Sequence, residues 1–366
     1  MPIPHHKHYT RDIPDGRYDR HVLPGLDVRE LEQWMLRTQP QLLGDQPLGA
    51  TLITGGRSNL TYALEETSEP LVLRRPPLGH VQATAHDMQR EFRVISALGA
   101  TEVPVPRAVL FVDDPDTGVD APFYLMQRVG GRTLTSRKDN AGYSPAQLRE
   151  LSFELVRTLA RLHSIVPTDV GLGDFGRPTG FLRRQLERWG TQYDGSRNRG
   201  LPELDELQEK LRGGIPQTER SSILHGDYRL DNALVHDVEG TPHLSAILDW
   251  EMATLGDSLT DLGLLGLYWS VNNYPDLPRG AVPSSVWVDD GYPSFEELVD
   301  EYSATVGMSV PELPWYLAMA AFKLAVILEG IHYRYQAGQT VGTGFDQIGQ
   351  FVTPLALTGL RYWDGQ

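Results

Sequence analysis

ILHGDYRLDN at residues 223–232 and AILDWE at residues 246–251 are the motifs from which the rest of this chain is interpreted. In the first motif Asp227 precedes Asn232 by five positions, and in the second Asp249 ends an apolar run. An Asp and an Asn at this spacing can place a carboxylate base and an oxygen ligand for a metal ion on one short loop. An isolated pattern of this kind more commonly forms a turn in which the side chains bond to the backbone. The catalytic interpretation therefore depends on Asp249 and on features nearer the N-terminus.

Phosphoryl transfer from ATP is the reaction that these residue types fit best. It needs a carboxylate that orients and deprotonates the attacking hydroxyl group, oxygen ligands for Mg²⁺, and donors that bind the remaining phosphate charge. Asp227 is the predicted catalytic base, and His225 is the second predicted catalytic residue because it shapes the loop with Gly226. Asn232 and Asp249 are the predicted metal ligands, since Mg²⁺ prefers one or two carboxylates together with phosphate oxygens and water. The predicted cofactors are thus ATP and Mg²⁺.

The motifs resemble the signature of the aminoglycoside phosphotransferase and choline kinase-like family, HGDxxxxN followed by a hydrophobic strand that ends in DW. HGDYRLDN and LDWEMATLGD (248–257) are most similar to the branch associated with acyl-CoA dehydrogenases, and the resemblance extends from about Thr51 to Gln336. It implies a two-lobed, protein kinase-like α+β fold with a small antiparallel-sheet N-lobe, a larger and mainly helical C-lobe, and ATP between them. It also implies a small-molecule acceptor that carries a hydroxyl group.

Three functions remain open at this point. The first is a kinase for a small molecule, with a hydroxylated acyl compound as a plausible acceptor because of the branch that the chain resembles. The second is an aminoglycoside-modifying kinase, and the third is a nucleotide-binding module without turnover. The third is disfavoured because Asp227, Asn232 and Asp249 are all present.

Composition narrows the class of partner. The chain has 366 residues, of which 40% are hydrophobic and 22% charged, as in soluble globular proteins. The net charge of −15 argues against a nucleic-acid partner. No uninterrupted apolar run approaches the ~20 residues of a membrane span, and the first residues lack the apolar stretch of a signal peptide. With no cysteine in the chain, a cytoplasmic enzyme without a membrane partner is expected, and its oligomeric state is left open.

The N-terminal part is predicted to bind the nucleotide. Residues 1–25 are predicted to form an arm, residues 26–130 the nucleotide-binding lobe and residues 131–366 the catalytic and acceptor-binding lobe. A helix is predicted to begin after Asp27, where DVRE matches a capping box. Two strands on either side of TGGRSN (54–59) form either a phosphate-covering turn or an ordinary hairpin, with equal support. The cofactor-binding candidates in this turn are Gly55, Gly56, Ser58 and Asn59.

The resemblance implies a cation on the third strand and an acid on the helix that follows. VLR (72–74) aligns with the kinase sequence VAIK, so Arg74 is the predicted phosphate-binding cation, in place of the more common Lys. Arg75 is the alternative if the register is shifted by one residue. Glu91 is the predicted acid that holds the cation. The backbone from Gln127 to Val129 is the predicted contact for the adenine base.

Six further helices are predicted in the remainder of the chain. They are expected from Pro145, after an introduction by PTGF (178–181), over 201–211, over 259–270, from Phe295 and from Pro314 to about Tyr335. Asp257 and Asp261 are candidates to brace the catalytic loop or the metal site. The alternative, that Asp257 or Ser258 caps a helix, has equal support. Seven acidic residues and no Lys or Arg occur between Ala281 and Phe322. These acids are candidate acceptor contacts, although a solvated face is the more common use of such residues.

Overall fold

A computed structural model describes residues 22–53, 59–78, 87–218, 220–274, 277, 282–310, 313–339 and 345–365. Most of the predicted N-terminal arm, together with Gly55, Gly56 and Ser58, lies outside the described residues. The chain groups into two compact units, Met1–Gln89 with Val109–Arg128, and Arg90–Ala108 with Val129–Gln366. The domain boundaries after residues 25 and 130 stay predictions.

The first unit is built on a five-stranded sheet, preceded by a small hairpin and a helix. Its elements are β1 (Val22–Leu23), β2 (Leu26–Asp27), α1 (Val28–Thr38), β3 (Gly49–Leu52), β4 (Leu60–Glu65), β5 (Leu71–Arg75), β6 (Ala108–Val112, with its first residue in the other unit) and β7 (Phe123–Gln127). The strand order in the sheet is β3-β4-β5-β7-β6. β3, β4, β5 and β7 pair antiparallel, and Leu52 opposite Tyr62 fixes the register of the first pair. The strand–turn–strand prediction around residues 54–59 is confirmed for its two strands.

Helix α1 covers one face of this core because its apolar residues recur at helical spacing. Asp27 caps the helix, and its carboxylate accepts hydrogen bonds from the backbone N–H groups of Arg29 (3.0 Å) and Glu30 (3.1 Å). Leu31 and Met35 are buried in the cluster that contains Tyr62 and the apolar strand residues. The predicted start of this helix is confirmed.

The second unit is mainly helical. Its elements are α2 (Met88–Leu98, with its first two residues in the other unit), α3 (Pro145–Ser164), α4 (Phe181–Ser196), α5 (Pro202–Gly213), β8 (Ser221–Leu224), β9 (Ala233–Val238), β10 (Thr241–Ile247), β11 (Thr254–Asp257), α6 (Leu259–Ser270), α7 (Phe295–Val306), α8 (Leu313–Gln336) and α9 (Val352–Trp363). β8 pairs antiparallel with β11, and β9 with β10. The loop that contains Asp227 runs from the β8–β11 pair to the β9–β10 hairpin.

Helix α8 is the apolar centre of the second unit. By length and composition it could cross a membrane, but 67% of its most apolar window is buried inside the protein, which is how the core helix of a globular unit behaves. It packs against α6, whose glycine Gly263 lies so close that an added Cβ would approach the backbone carbon of Tyr316 to 2.7 Å. Two charged residues interrupt its apolar sequence in the middle, Lys323 and Glu329. Both have partners outside α8.

Candidate active site

The loop between β8 and β9 presents Asp227, and Asn232 holds its carboxylate. The Asp227 side chain is 31% exposed. The Asn232 amide donates to the Asp227 backbone carbonyl (2.9 Å) and to its carboxylate Oδ2 (3.0 Å). Both bonds use the Nδ2 group of Asn232 as the donor. The Oδ1 atom of the same amide is therefore the one that can bind a cation. The predicted base and one predicted metal ligand are thus held together.

The second predicted ligand lies on the adjacent segment. The Leu248 N–H donates to the Asn232 carbonyl (2.7 Å), which places Asp249 beside Asn232 in a directly bonded pair of segments. Asp249 has φ 65° and ψ 61°, a left-handed conformation that costs a non-glycine residue energy and concentrates at functional sites. One carboxylate and one amide oxygen form a donor set that fits Mg²⁺, which binds few protein groups. Among the described residues no cluster of three or more His, Cys, Asp or Glu forms a metal site of another kind.

The His225 imidazole joins these two segments from inside the protein. Its Nδ1 accepts from the Asp227 N–H (3.2 Å) and its Nε2 lies 2.8 Å from the Leu248 carbonyl. Because Nδ1 accepts a hydrogen bond and Nε2 faces a carbonyl oxygen, the proton of the imidazole ring lies on Nε2. The ring is fully buried and packs 4.6 Å from the Trp250 ring centroid. His225 therefore has the geometry of a residue that positions the Asp227 loop from its buried side.

Asp261, from the first turns of α6, anchors the loop backbone. Its carboxylate is buried and accepts from the N–H groups of His225 (2.7 Å) and Gly226 (2.8 Å). Burial alone would raise the pKa of Asp261, but the hydrogen bond and charge of His163, with the His225 contacts, lower it. Of the two roles left open, Asp261 takes the bracing role. Asp257 caps instead, because it accepts from the Leu259 N–H (3.0 Å).

Gly226 has a steric reason to be glycine. Its φ is 86°, and an added Cβ would lie 2.5 Å from the Met252 carbonyl oxygen. A larger residue at this position, such as the Arg of protein kinases, would require the segment after Asp249 to move.

Two charged residues of the loop were not singled out by the sequence. The Arg229 guanidinium lies over the Tyr268 ring (4.6 Å to its centroid), 3.4 Å from the Asp231 carboxylate and 3.8 Å from that of Asp227. Burial raises the pKa of Asp231 to about 6, although the charge of Arg229 opposes the shift. Their proximity follows from the loop conformation, and the only signal in the sequence is that both lie inside the HGDxxxxN motif.

Lys323 is a third residue that the sequence analysis missed. Its ammonium donates to the Gly226 carbonyl (3.0 Å), one peptide bond away from Asp227, and lies 5.6 Å from the centroid of the Trp189 ring. A lysine within the apolar sequence of α8 was the available signal, because a charge placed on a core helix requires a partner.

In the first unit, the geometry favours Arg74 over Arg75 as the predicted phosphate-binding cation. Arg75 is 3% exposed and is bonded to the Asp120 carboxylate (2.6 Å) and the Gly25 carbonyl (2.5 Å). Arg74 points to the other face of β5, is partly buried, and donates to the Thr61 hydroxyl (3.4 Å). Arg75 is therefore committed to structural contacts, whereas the role of Arg74 stays a prediction.

The other predicted nucleotide contacts are distributed over both units. Asn59 is buried next to β4, and Gln127 is exposed at the end of β7. Glu91 is buried on α2, and Val129 is partly buried just beyond the first unit. Their predicted roles toward ATP, including the pairing of Glu91 with Arg74, stay predictions.

Several of the acids between residues 281 and 322 are used in ion pairs. Asp290 pairs with Arg137 (2.6 Å) and Glu301 with Arg157 (2.5 Å). Glu297 pairs with Arg149 and also completes the N-terminal cap of α7 with Ser294. These three acids therefore stabilise the helical unit, which weakens the interpretation of the acidic segment as an acceptor-binding surface.

Comparison with known proteins places this geometry in a family. The family model described as phosphotransferase enzyme family (APH) matches residues 49–283. The acyl-CoA dehydrogenase family member 11 of Rattus norvegicus is 34% identical over 349 residues, which are 93% of this chain and 44% of that protein. The chain thus spans less than half the length of this relative.

Solved structures agree with the family match. A protein of Ralstonia eutropha JMP134, described as a candidate aminoglycoside phosphotransferase, has a TM-score of 0.79 at 31% identity and covers 93% of this chain and 98% of its own. Aminoglycoside phosphotransferase APH(4)-Ia, in a ternary complex with AMP-PNP and hygromycin B, has a TM-score of 0.59 at 12% identity, with 92% and 99% covered. This second likeness shows the fold alone. The predicted protein kinase-like α+β fold and the predicted family are confirmed.

Proposed function

The chain belongs to the phosphotransferase enzyme family, and we propose from this that it transfers the γ-phosphoryl group of ATP to a hydroxyl group of a small molecule. One observation carries the proposal: Asn232 fixes the Asp227 carboxylate while its own backbone carbonyl is bonded to Leu248, beside Asp249. A base and two oxygen ligands are thereby held on two adjacent segments, which is the arrangement that phosphoryl transfer requires.

In the proposed mechanism Asp227 orients the acceptor hydroxyl and takes its proton as the new P–O bond forms and the bond from phosphorus to the ADP oxygen breaks. Asn232 and Asp249 would hold Mg²⁺, which supplies charge neutralisation on the phosphates when it is bound. Arg229, 3.8 Å from Asp227, is placed to limit the unfavourable charge between this carboxylate and the incoming phosphoryl group. Arg74 would bind the donor phosphates.

The acceptor is proposed to be a hydroxylated acyl compound. Its support is the similarity to a protein named for acyl-CoA dehydrogenation, over 93% of this chain. An aminoglycoside is the second candidate, supported by the likeness to the Ralstonia protein. A nucleotide-binding module without turnover is disfavoured, because Asp227, Asn232 and Asp249 are present and held together.

ATP consumption by the purified protein over hydroxyacyl thioesters, amino alcohols and aminoglycosides tests the proposal. We expect Mg²⁺-dependent, acceptor-dependent ADP formation that is lost in Asp227→Asn. The exposed Asp300 offers a matched control, since Asp300→Asn makes the same chemical change on the surface of α7. ADP formation that is equal in wild type and Asp227→Asn would contradict the proposal.

A further inference from the structure

Lys323 and Arg188 both place a positive charge against the indole ring of Trp189, near the loop between β8 and β9. The Lys323 ammonium lies 5.6 Å from the centroid of Trp189, and the Arg188 guanidinium lies 5.5 Å from it. Within the described part of the chain neither has a carboxylate within ion-pair distance. Arg188 is exposed at the surface of α4, whereas Lys323 is partly buried. Among the described residues, the pair is a cationic site without a direct ion-pair partner, in a protein whose net charge is −15.

A purely structural role explains Lys323 poorly. An ammonium group has three N–H donors, and one of them is used by the Gly226 carbonyl. Burial is costly for a lysine without a carboxylate partner, and a core helix gains more from an apolar residue of similar volume. The neighbours of Lys323 on α8, Phe322 and Leu324, are buried apolar residues, as is usual for a core helix. A charge retained here is more consistent with a ligand than with folding stability.

The charges around Lys323 indicate which sign of charge such a ligand carries. Burial and the charge of Arg188 lower the pKa of Lys323, while the charges of Asp227 and Asp261 favour its protonated form. Asp261 is already engaged by two backbone N–H groups, and Asp227 is held by Asn232. The open N–H donors of Lys323 therefore suit an additional oxyanion, bound within reach of the base.

We propose that Lys323, assisted by Arg188, binds an oxyanion of the acceptor, so that the substrate is an anionic hydroxyl compound such as a hydroxy acid or a phosphate-bearing acyl conjugate. The Trp189 ring, which both cations contact, supplies an apolar wall of this site. A cationic acceptor, such as an amino alcohol, is disfavoured at this position by repulsion. The inference rests on the proposed phosphotransferase function and adds the charge of its acceptor and the residue that selects it.

The test uses hydroxyl compounds of four and eight carbons that end in a carboxylate, a phosphate, a carboxamide or an ammonium group. Turnover is measured with Mg-ATP for wild type, Lys323→Met, Lys323→Arg and Arg188→Gln. Lys210→Met, on α5 and paired with Glu206 and Asp364, is the matched surface control. Methionine keeps the unbranched apolar stem of the side chain and removes its charged end.

We expect the wild type to prefer the carboxylate or phosphate compounds over the ammonium compounds. Lys323→Met should raise KM for the anionic acceptors about 10- to 100-fold, as expected for the loss of a charge-assisted hydrogen bond, with little change for the carboxamides. Lys323→Arg should restore most of the preference, and Arg188→Gln should have a smaller effect. The KM for ATP and the slow hydrolysis of ATP by water should stay unchanged in the surface control Lys210→Met.

Three results would overturn the inference. One is a wild-type preference for ammonium acceptors, and another is a Lys323→Met variant with unchanged selectivity. The third is an equal loss in Lys323→Met for every acceptor and for hydrolysis by water, which would indicate that Lys323 only supports the loop. If no compound is turned over, the thermal midpoint in Mg-ADP decides, because the anionic compounds should raise it in wild type and not in Lys323→Met. A protein that neither binds nor hydrolyses Mg-ATP would instead contradict the proposed function itself.

Discussion

At the residue scale, the loop between β8 and β9 is held by hydrogen bonds that leave the Asp227 carboxylate accessible. His225 and Asp261 fix the backbone from the buried side, and Asn232 fixes the carboxylate itself. Asp249 adds a strained left-handed conformation on the adjacent segment. Such strain persists where the surrounding contacts over-determine it, and the Leu248–Asn232 backbone bond is one of those contacts.

Arg74 and Arg75 are neighbours in sequence, but their replacement by alanine is predicted to impair different properties, nucleotide binding for Arg74 and stability for Arg75. Arg74→Ala should weaken Mg-ATP binding, since a phosphate-binding guanidinium is lost. Arg75→Ala should instead reduce the free energy of unfolding by about 1–3 kcal/mol, because it removes a buried partner of Asp120 and of the Gly25 carbonyl. Calorimetric titration with Mg-ATP and denaturant unfolding of both variants check this. Equal losses of ATP affinity would show that the strand register has been assigned incorrectly.

Asp231 is predicted to reduce stability at neutral pH. Because the pKa of this carboxyl group is raised to about 6 from an unfolded value near 4, its ionised form is disfavoured in the folded protein. The free energy of unfolding therefore falls as the pH rises from about 4 to 6 and stays low above that. Asp231→Asn should gain roughly 1–3 kcal/mol at pH 7 and nothing below about pH 4. Denaturant unfolding at several pH values, with Asp300→Asn as the exposed control, measures this; a gain that is independent of pH would contradict it.

At the scale of elements, caps and periodicity predicted the helices well. The predicted helix starts at Pro145 and Phe295 are confirmed, each behind a capping box (Ser144 with Gln147, Ser294 with Glu297), and α6 spans Leu259–Ser270 as expected. These signals are local, because a cap satisfies backbone groups within three residues of itself. The contact of Lys323 with Gly226 joins residues 97 positions apart, and that of Asp261 with Gly226 joins residues 35 apart. Contacts of this range depend on how elements pack, which a single sequence does not display.

The loop between β8 and β9 is predicted to depend on glycine at position 226. Gly226→Ala introduces a Cβ that would lie 2.5 Å from the Met252 carbonyl, in a backbone conformation with φ 86°. We expect a loss of about 1–3 kcal/mol in the free energy of unfolding and a larger relative loss of turnover, because Asp227 is displaced. Gly240→Ala is the control, since Gly240 also has positive φ but no atom lies within 4 Å of its added Cβ. Full turnover in Gly226→Ala would contradict the tight fit.

At the scale of the whole molecule, the two compact units contribute different sets of predicted site residues. The predicted base and metal ligands come from the second unit, whereas Arg74 and the turn at 54–59 come from the first. The family match from residue 49 to 283 extends over parts of both units.

Nucleotide binding is predicted to stabilise the folded chain. A ligand that binds only the folded state adds about 2.7 kcal/mol at a concentration 100 times its dissociation constant. Millimolar Mg-ATP should therefore raise the thermal midpoint by several degrees, and EDTA or Asp249→Asn should remove the effect. No shift in a correctly folded sample would argue against ATP as the cofactor.

Asp227→Asn tests the central assignment most directly, in a comparison of turnover and Mg-ATP affinity with wild type and Asp249→Asn. The amide keeps the size of the side chain but cannot take the proton of the acceptor hydroxyl. We predict that turnover of the best acceptor, or of water in its absence, falls about 10²–10⁴-fold while Mg-ATP affinity hardly changes. Asp249→Asn should lose turnover and Mg-ATP affinity together. Full phosphoryl transfer by Asp227→Asn would contradict Asp227 as the base.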